Sequence, residues 1–121
     1  MINVKPQIYE ALCRGCPGAD VSDEYPEEWR TFPKVTYTEE NNAVEQWTDD
    51  KEQYARLTYR IDCWDMGSTS EIAAQVDAAM ASLGLLRTFA RDVKPGPEKA
   101  KHKQMRYECI IDVVTEDVFH G

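Results

Sequence analysis

The sequence predicts an α+β domain of two layers, a four-stranded, mostly antiparallel sheet with two helices on one face. Three observations carry that expectation. From Tyr54 to Trp64 the residues alternate, with Leu57, Tyr59, Ile61 and Cys63 on one face and Arg56, Thr58, Arg60 and Asp62 on the other. That is the period of a strand with one buried side. After Met66-Gly67 the period lengthens, and Ile72, Val76, Ala79, Met80 and Leu83 recur at helical spacing. A second alternation, Met105, Tyr107, Cys109, Ile111 and Val113, marks Gln104 to Thr115 as another strand. A helix that leaves a strand through a short breaker can fold back and cover the apolar face of the sheet.

The elements follow in the order α-β-β-α-β-β. Asn3 suits the N-cap of a first helix from Val4 to Cys13, with Pro6 tolerated in its first turn. Ile8, Ala11 and Leu12 form its narrow apolar face, and Gly15 is a natural C-terminal stop. Residues 17–32 are acidic and interrupted by Pro17, Gly18 and Pro26, which reads as a loop. Tyr25, Trp29 and Phe32 make that loop too aromatic for a plain solvated linker. Phe32 is expected to pack; Tyr25 and Trp29 can either pack across the domain or form part of a partner surface.

The first strand spans Pro33 to Glu39, with Val35 and Tyr37 on one face. Glu40 to Lys51 is polar and predicts a projecting loop. In it Trp47, with Asp49 and Asp50 nearby, is a candidate interface aromatic, although a loop tryptophan can equally fold back on its own sheet. The long strand comes next, and then the second helix, for which Ser68 and Glu71 suit a capping box. Leu85 to Val93 is a third strand with untidy alternation, and Lys94 to Lys103 is a basic loop. In the final strand Ile110 and Val114 mark a partly covered outer face, and Val118 and Phe119 of the short tail are expected to dock. No internal repeat interrupts the pattern, and 121 residues suit a single domain, 1–121.

Composition narrows the function. The chain is 42% hydrophobic and 30% charged, outside the range of disordered segments. No apolar run approaches the roughly 20 residues that span a bilayer. The N-terminus, Met1-Ile2-Asn3-Val4-Lys5-Pro6, lacks the features of a secretory signal, so the expectation is a chain made and kept in a cytoplasm, without a membrane partner. A net charge of −8 argues against a general nucleic-acid binder. The charge is unevenly spread. Asp20 to Asp50 holds ten acidic residues against Arg30 and Lys34, whereas Arg87 to Arg106 holds seven basic residues against Asp92 and Glu98. Two readings stand: solvated loops of opposite sign, or an acidic segment of one copy meeting the basic segment of the next, including Lys94, Lys99, Lys101 and Lys103.

Signs of chemistry are sparse. Cys63 and Cys109 fall on inward strand faces as small hydrophobes. Cys13 and Cys16 form a C-x-x-C, but it follows a helix and runs into Pro17-Gly18, and there is no second close pair to complete a zinc site. The histidines, His102 and His120, stand apart from any evident nucleophile or carboxylate cluster, and no phosphate-loop, dinucleotide or zinc-protease motif occurs. Pairs such as Glu27-Glu28, Glu39-Glu40 and Asp49-Asp50 read as solvated faces. No cofactor, metal site or catalytic residue is expected, and the chain is not read as an enzyme. The basic stretch 94–106 allows a small nucleic-acid or ligand-binding module, although it lacks a stacking aromatic before Tyr107.

Several stretches taken together resemble a known family. Phe32-Pro33-Lys34-Val35-Thr36-Tyr37 is followed by Glu39 and Asn41-Asn42, then by Thr58-Tyr59-Arg60-Ile61-Asp62-Cys63-Trp64. A helix with Ile72, Val76-Asp77 and Met80, the run Gly84-Leu85-Leu86-Arg87-Thr88 and finally His102-Lys103-Gln104-Met105-Arg106-Tyr107-Glu108 complete the order. From Val4 to Val114 this resembles the small tail-completion or tail-terminator proteins of long-tailed phages and prophages of Gram-positive bacteria. The resemblance implies an α/β subunit that forms a hexameric ring on the tail tube, ends its polymerisation and offers the head–tail joining surface. It also implies the partners: further copies of the chain, the major tail tube protein, a head–tail connector or stopper, and DNA passing through the lumen without sequence-specific binding. The place implied is the head-proximal end of the virion tail, after assembly in the host cytoplasm. Another neck protein, a head-completion or connector subunit, is the alternative within that class. The C-x-x-C and the acidic segment from Asp20 to Glu28 depart from the family pattern.

Overall fold

The computed structural model describes residues 3–48, 51–112 and 118–119, and side chains outside 44–48, 51–53 and 118–119. Its elements are α1 (Lys5–Gly15), β1 (Asp20–Asp23), β2 (Lys34–Thr48), β3 (Lys51–Asp65), α2 (Ser70–Ser82), β4 (Leu86–Val93), β5 (Lys101–Asp112) and β6 (Val118–Phe119). The sheet runs β1-β2-β3-β5-β4, with β6 paired to β5 at Ile110 and Ile111, beyond the reach of β4. The predicted four strands are β2 to β5, and every pairing among them is antiparallel. β1 makes the sheet mixed, because it lies parallel to β2.

Alternation along β3 and β5 builds the core. Ala55, Leu57, Tyr59, Ile61 and Cys63 of β3, with Met105, Tyr107, Cys109 and Ile111 of β5, are buried in one cluster with Ile8 and Leu12 of α1 and Ile72, Val76 and Met80 of α2. Tyr59 and Tyr107 are cross-strand partners at its centre. Their hydroxyls need acceptors in an apolar setting, and they donate to Glu39 Oε1 at 2.9 Å and Asp77 Oδ1 at 2.8 Å. Burial pushes both phenols well above their ordinary range, and the two carboxylates add to the effect.

Several predicted boundaries are corrected. Residues 17–32 are not wholly loop, since Asp20–Asp23 forms β1 in register with Lys34–Tyr37. Four residues, three of them polar, carry no strand signal of their own; the edge of β2 and the ion pairs Lys34–Asp20 and Lys5–Asp23 hold them in place. The predicted projecting loop from Glu40 to Lys51 is the outer part of a long hairpin, β2 running to Thr48 and β3 starting at Lys51. Register shifts after Glu39 and after Val44 break the period of two there, which hides the strand from a periodicity reading. Fifteen residues extend about 50 Å, whereas the 13 residues of α2 extend about 20 Å. The hairpin is therefore far longer than the helix layer.

The basic loop is shorter than predicted. It holds a tight turn at Pro97–Lys99, and Lys101, His102 and Lys103 already belong to β5. The untidy alternation of β4 also has a cause: among the described residues this strand pairs on one side only, and it bulges between Arg87 and Phe89 and is exposed from Leu86 to Asp92.

The helix ends differ in detail. Val4, not the expected Asn3, is the N-cap of α1 and makes no side-chain cap bond; Asn3 Oδ1 accepts the Lys5 N–H at 3.1 Å in a local turn one residue earlier. At α2, Ser68 Oγ accepts the Ser70 N–H at 3.1 Å, a local turn in place of the expected reciprocal capping box with Glu71. Gly84, at φ 85°, closes α2 in the left-handed region, and the Leu85 N–H reaches back to the Met80 carbonyl at 3.2 Å.

Gly15 is not the expected left-handed stop. It is the last residue of α1, and a Cβ there would stand 2.9 Å from Ala79 Cβ. The residue is glycine because α1 and α2 touch at this point. Gly15→Ala is expected to destabilise the fold by about 1–3 kcal/mol through overpacking, against a gain of roughly 1 kcal/mol in helix propensity. The urea midpoint measures the balance. Gly15→Val, bulkier and β-branched, is expected to fall further.

Candidate functional site

The sheet face opposite the helices carries the polar residues of β3 and β5, and it is covered at one end by aromatic rings. Trp64 and His102, cross-strand partners on this face, stack with centroids 4.4 Å apart at an interplanar angle of 22°. Trp29 meets Trp64 edge-on at 5.3 Å, and Tyr25 lies 5.6 Å from Trp29 and 6.5 Å from Trp64. Phe32 extends the cluster at 6.4 Å from Trp29. Of the two aromatics left open by the sequence, Trp29 packs across the sheet. Tyr25 is 59% exposed and forms the outer rim of the cluster.

Beneath these rings lies a buried lysine. Lys34 is fully buried, and its ammonium meets Asp20 at 2.6 Å and Glu28 at 2.8 Å, with the Phe32 ring 5.9 Å away. Burial works against the charge of Lys34, but hydrogen bonds to the two carboxylates outweigh it and hold the ammonium above its ordinary range. In return the Lys34 hydrogen bond, helped by the Arg30 N–H, holds the Glu28 carboxyl down at about 2. Glu27-Glu28 is thus not simply a solvated pair.

Further along the same face the charges interlock. His102 Nε2 stands 2.8 Å from Asp62 Oδ1, which also accepts from Gln104 at 3.2 Å, while Arg60 Nε donates to Asp62 Oδ2 at 2.9 Å. Burial opposes ionisation of Asp62, but these donors prevail and hold its carboxyl below the usual range. Glu40 accepts from Arg106 at 2.7 Å and lies 3.6 Å from Arg60, and Arg56 pairs with Glu108. The guanidiniums of Arg106 and Arg91 both lie over the Phe89 ring, at 5.1 and 5.6 Å from its centroid. Sequence reasoning missed the His102–Asp62 pair because 40 residues separate its members. The facing alternations of β3 and β5 held the only signal, once their register is known.

The remaining candidate residues do not converge. Lys94 and Lys99 are exposed, and Lys99 lies in the tight turn with φ 60°. Lys101 and Lys103 lie on the helix-side face of β5 beside the start of α2, where Lys103 Nζ is 3.6 Å from Asp92. The Trp47 backbone pairs with Glu52 in the hairpin, and its side chain is outside the described residues, as are Asp49 and Asp50 entirely. His120, Val113 and Val114 also lie outside the described residues.

The cysteines are free thiols, with Cys13 exposed and Cys16, Cys63 and Cys109 buried. Burial, then the neighbouring Cys13, pushes the Cys16 thiol up to about 11, so it is a poor nucleophile at neutral pH. Among the described residues, no group of three or more His, Cys, Asp or Glu side chains is placed to hold a metal ion, and no helix is long and apolar enough to cross a membrane. The chain matches no protein-family model, and no curated protein sequence matches it significantly.

Proposed function

We propose that this chain is a structural protein of virion assembly, the ring-forming tail terminator of a long-tailed phage or prophage. In this reading six copies cap the tail tube at its head-proximal end, stop its polymerisation, and present the surface that joins a connector or stopper. DNA passes through the lumen without sequence-specific contact. The chain carries out no catalysis.

The supporting observation is that the sheet ends in two unlike edges. One edge is β1, in the acidic segment; the other is β4, exposed along its length and set among Arg87, Arg91, Lys94 and Lys99. Unlike edges favour head-to-tail association, which closes into a ring when the rotation allows. Through the order of pairings β1 runs antiparallel to β4. A neighbour added around an axis along the strands would therefore bring its β1 antiparallel to the outer edge of β4, which has no strand partner among the described residues and whose backbone groups invite one.

Sedimentation of the purified protein, alone and with tail tubes, tests the reading. A ring in solution, or a monomer that forms a ring on tubes, is expected; a monomer that never joins tubes would overturn it. Charge reversal at Arg91 and Lys99 is expected to weaken assembly, and reversal of Glu24 and Glu27 in the same chain to restore it. Intact assembly after the first change would remove the basic edge from the interface.

A further inference from the structure

Assembly about an axis along the strands constrains more than which edges meet. Rotation in a closed ring carries no shift along its axis, so residues level with each other across one sheet stay level across the junction between copies. The pairings put Asp20 level with Val93 through Lys34, Trp64 and His102, and Ser22 level with Arg91 through Thr36, Asp62 and Gln104. One row further, Thr38, Arg60 and Arg106 lead to Phe89. Glu24 stands at that row, since its N–H bonds the Tyr37 carbonyl at 2.9 Å.

The backbone groups agree with that register. The Asp20 and Glu24 N–H groups turn inward to the carbonyls of Pro33 and Tyr37, at 3.0 and 2.9 Å, so by alternation those of Val21 and Asp23 face outward. Alternation carried through the antiparallel ladders turns Phe89, Arg91 and Val93 toward β5 and leaves the N–H and C=O groups of Ala90 and Asp92 facing outward. The outward groups of the two edges thus lie in the same rows, Val21 with Asp92 and Asp23 with Ala90. The Tyr25 N–H already takes the Asp23 carbonyl at 2.8 Å. With so few backbone bonds on offer from β1, side chains must carry much of the selectivity.

On the face away from the helices the side chains match in charge. Arg91 is exposed and makes no ion pair among the described residues; its guanidinium is held over the Phe89 ring at 5.6 Å. Arg106, the other cation over this ring, is already engaged by Glu40 at 2.7 Å. Glu24 is 71% exposed at its side chain and comes no closer to Lys5 than 3.8 Å. One row apart across the junction, Arg91 and a neighbour's Glu24 are diagonal, within reach of two long side chains. We infer that the junction is held in the register that sets Ser22 opposite Arg91, with Arg91, steadied on Phe89, pairing with Glu24 of the next copy. This rests on the head-to-tail reading above and names the contact that selects the partner.

Disulfide trapping between mixed chains tests the register. Two variants, Asp23→Cys and Ala90→Cys, each in a Cys13→Ser background, are mixed under assembling conditions, alone or on tail tubes, and oxidised with diamide. The other three native cysteines are buried, and opposite residues of an antiparallel pair stand close enough for a disulfide. A linked dimer is expected from the mixture and from neither variant by itself, and none is expected when Arg87→Cys replaces Ala90→Cys. Sedimentation reads the charge pair. Arg91→Glu is expected to weaken association at least about tenfold, and Glu24→Arg in the same chain to recover most of the loss. All these positions are exposed, so the variants are expected to fold, and an unchanged urea midpoint verifies it. Association without the linked dimer, or association unchanged in Arg91→Glu, would overturn this register and leave the head-to-tail reading standing. A native chain that never associates, alone or with tubes, would overturn both.

Discussion

Trp64→Ala is expected to cost about 3–5 kcal/mol of folding stability and to free the segment 24–32 from the sheet. The indole is 4% exposed and touches three partners at once: His102 stacked on one face, with Trp29 and Tyr25 meeting it edge-on. Gly96 approaches so closely that a Cβ there would stand 3.0 Å from Trp64 Nε1. Alanine would leave a cavity bounded by these groups and would expose the buried Asp62 to solvent beside His102. Urea unfolding measures the loss, and the emission of Trp29 should shift to the red in the folded variant. A variant with unchanged midpoint and unchanged emission would show that the rings are in contact without holding the segment. Trp64→Phe is expected to recover part of the loss, because a smaller ring still fills some of the space.

Lys34→Met is the second large effect, expected to cost about 2–4 kcal/mol. Methionine keeps much of the apolar stem but leaves Asp20 and Glu28 facing each other with no cation between them. Both carboxylates are more than a third exposed, at 38% and 36%, so water relieves part of the repulsion and the figure stays below that of a wholly buried pair. The pH dependence gives a separate readout. The Glu28 carboxyl is held at about 2, against an ordinary value of 4.5. A depressed carboxyl contributes stability that is present above the ordinary value and lost as pH falls through the depressed one. The native chain should therefore lose stability between pH 4.5 and about 2. In Lys34→Met the largest cause of the depression is gone, so the decline of Tm across that window should be shallower, from a lower starting point. Parallel curves for the two chains would mean that Lys34 does not set the ionisation of Glu28.

These two residues show where a reading of the sequence stops. Trp64 is legible as the end of an alternating strand, and Lys34 as an outward residue of the first one. Neither position announces that a segment rich in acids and aromatics folds over it. The segment reads as a loop because Pro17, Gly18 and Pro26 interrupt it, and the four residues of β1 within it have no periodicity to detect. Its place is fixed by partners distant in the chain, Lys5 for Asp23 and Trp64 for Trp29. The hairpin shows the same limit in another form: its outer part is a strand by virtue of its ladder, and bulges erase the alternation that would mark it.

By itself the sequence determined the two layers, the four central strands in their order and the inward faces of β3 and β5, because one-sided burial imposes a period of two on a strand and a longer one on a helix. It also determined the opposite charges of the two segments. The tertiary structure alone decided that β1 extends the sheet, that Gly15 lets two helices touch, that Lys34 is buried, and that His102 meets Asp62. Each of these depends on groups brought together from far apart in the chain, and local spacing holds no record of such distances.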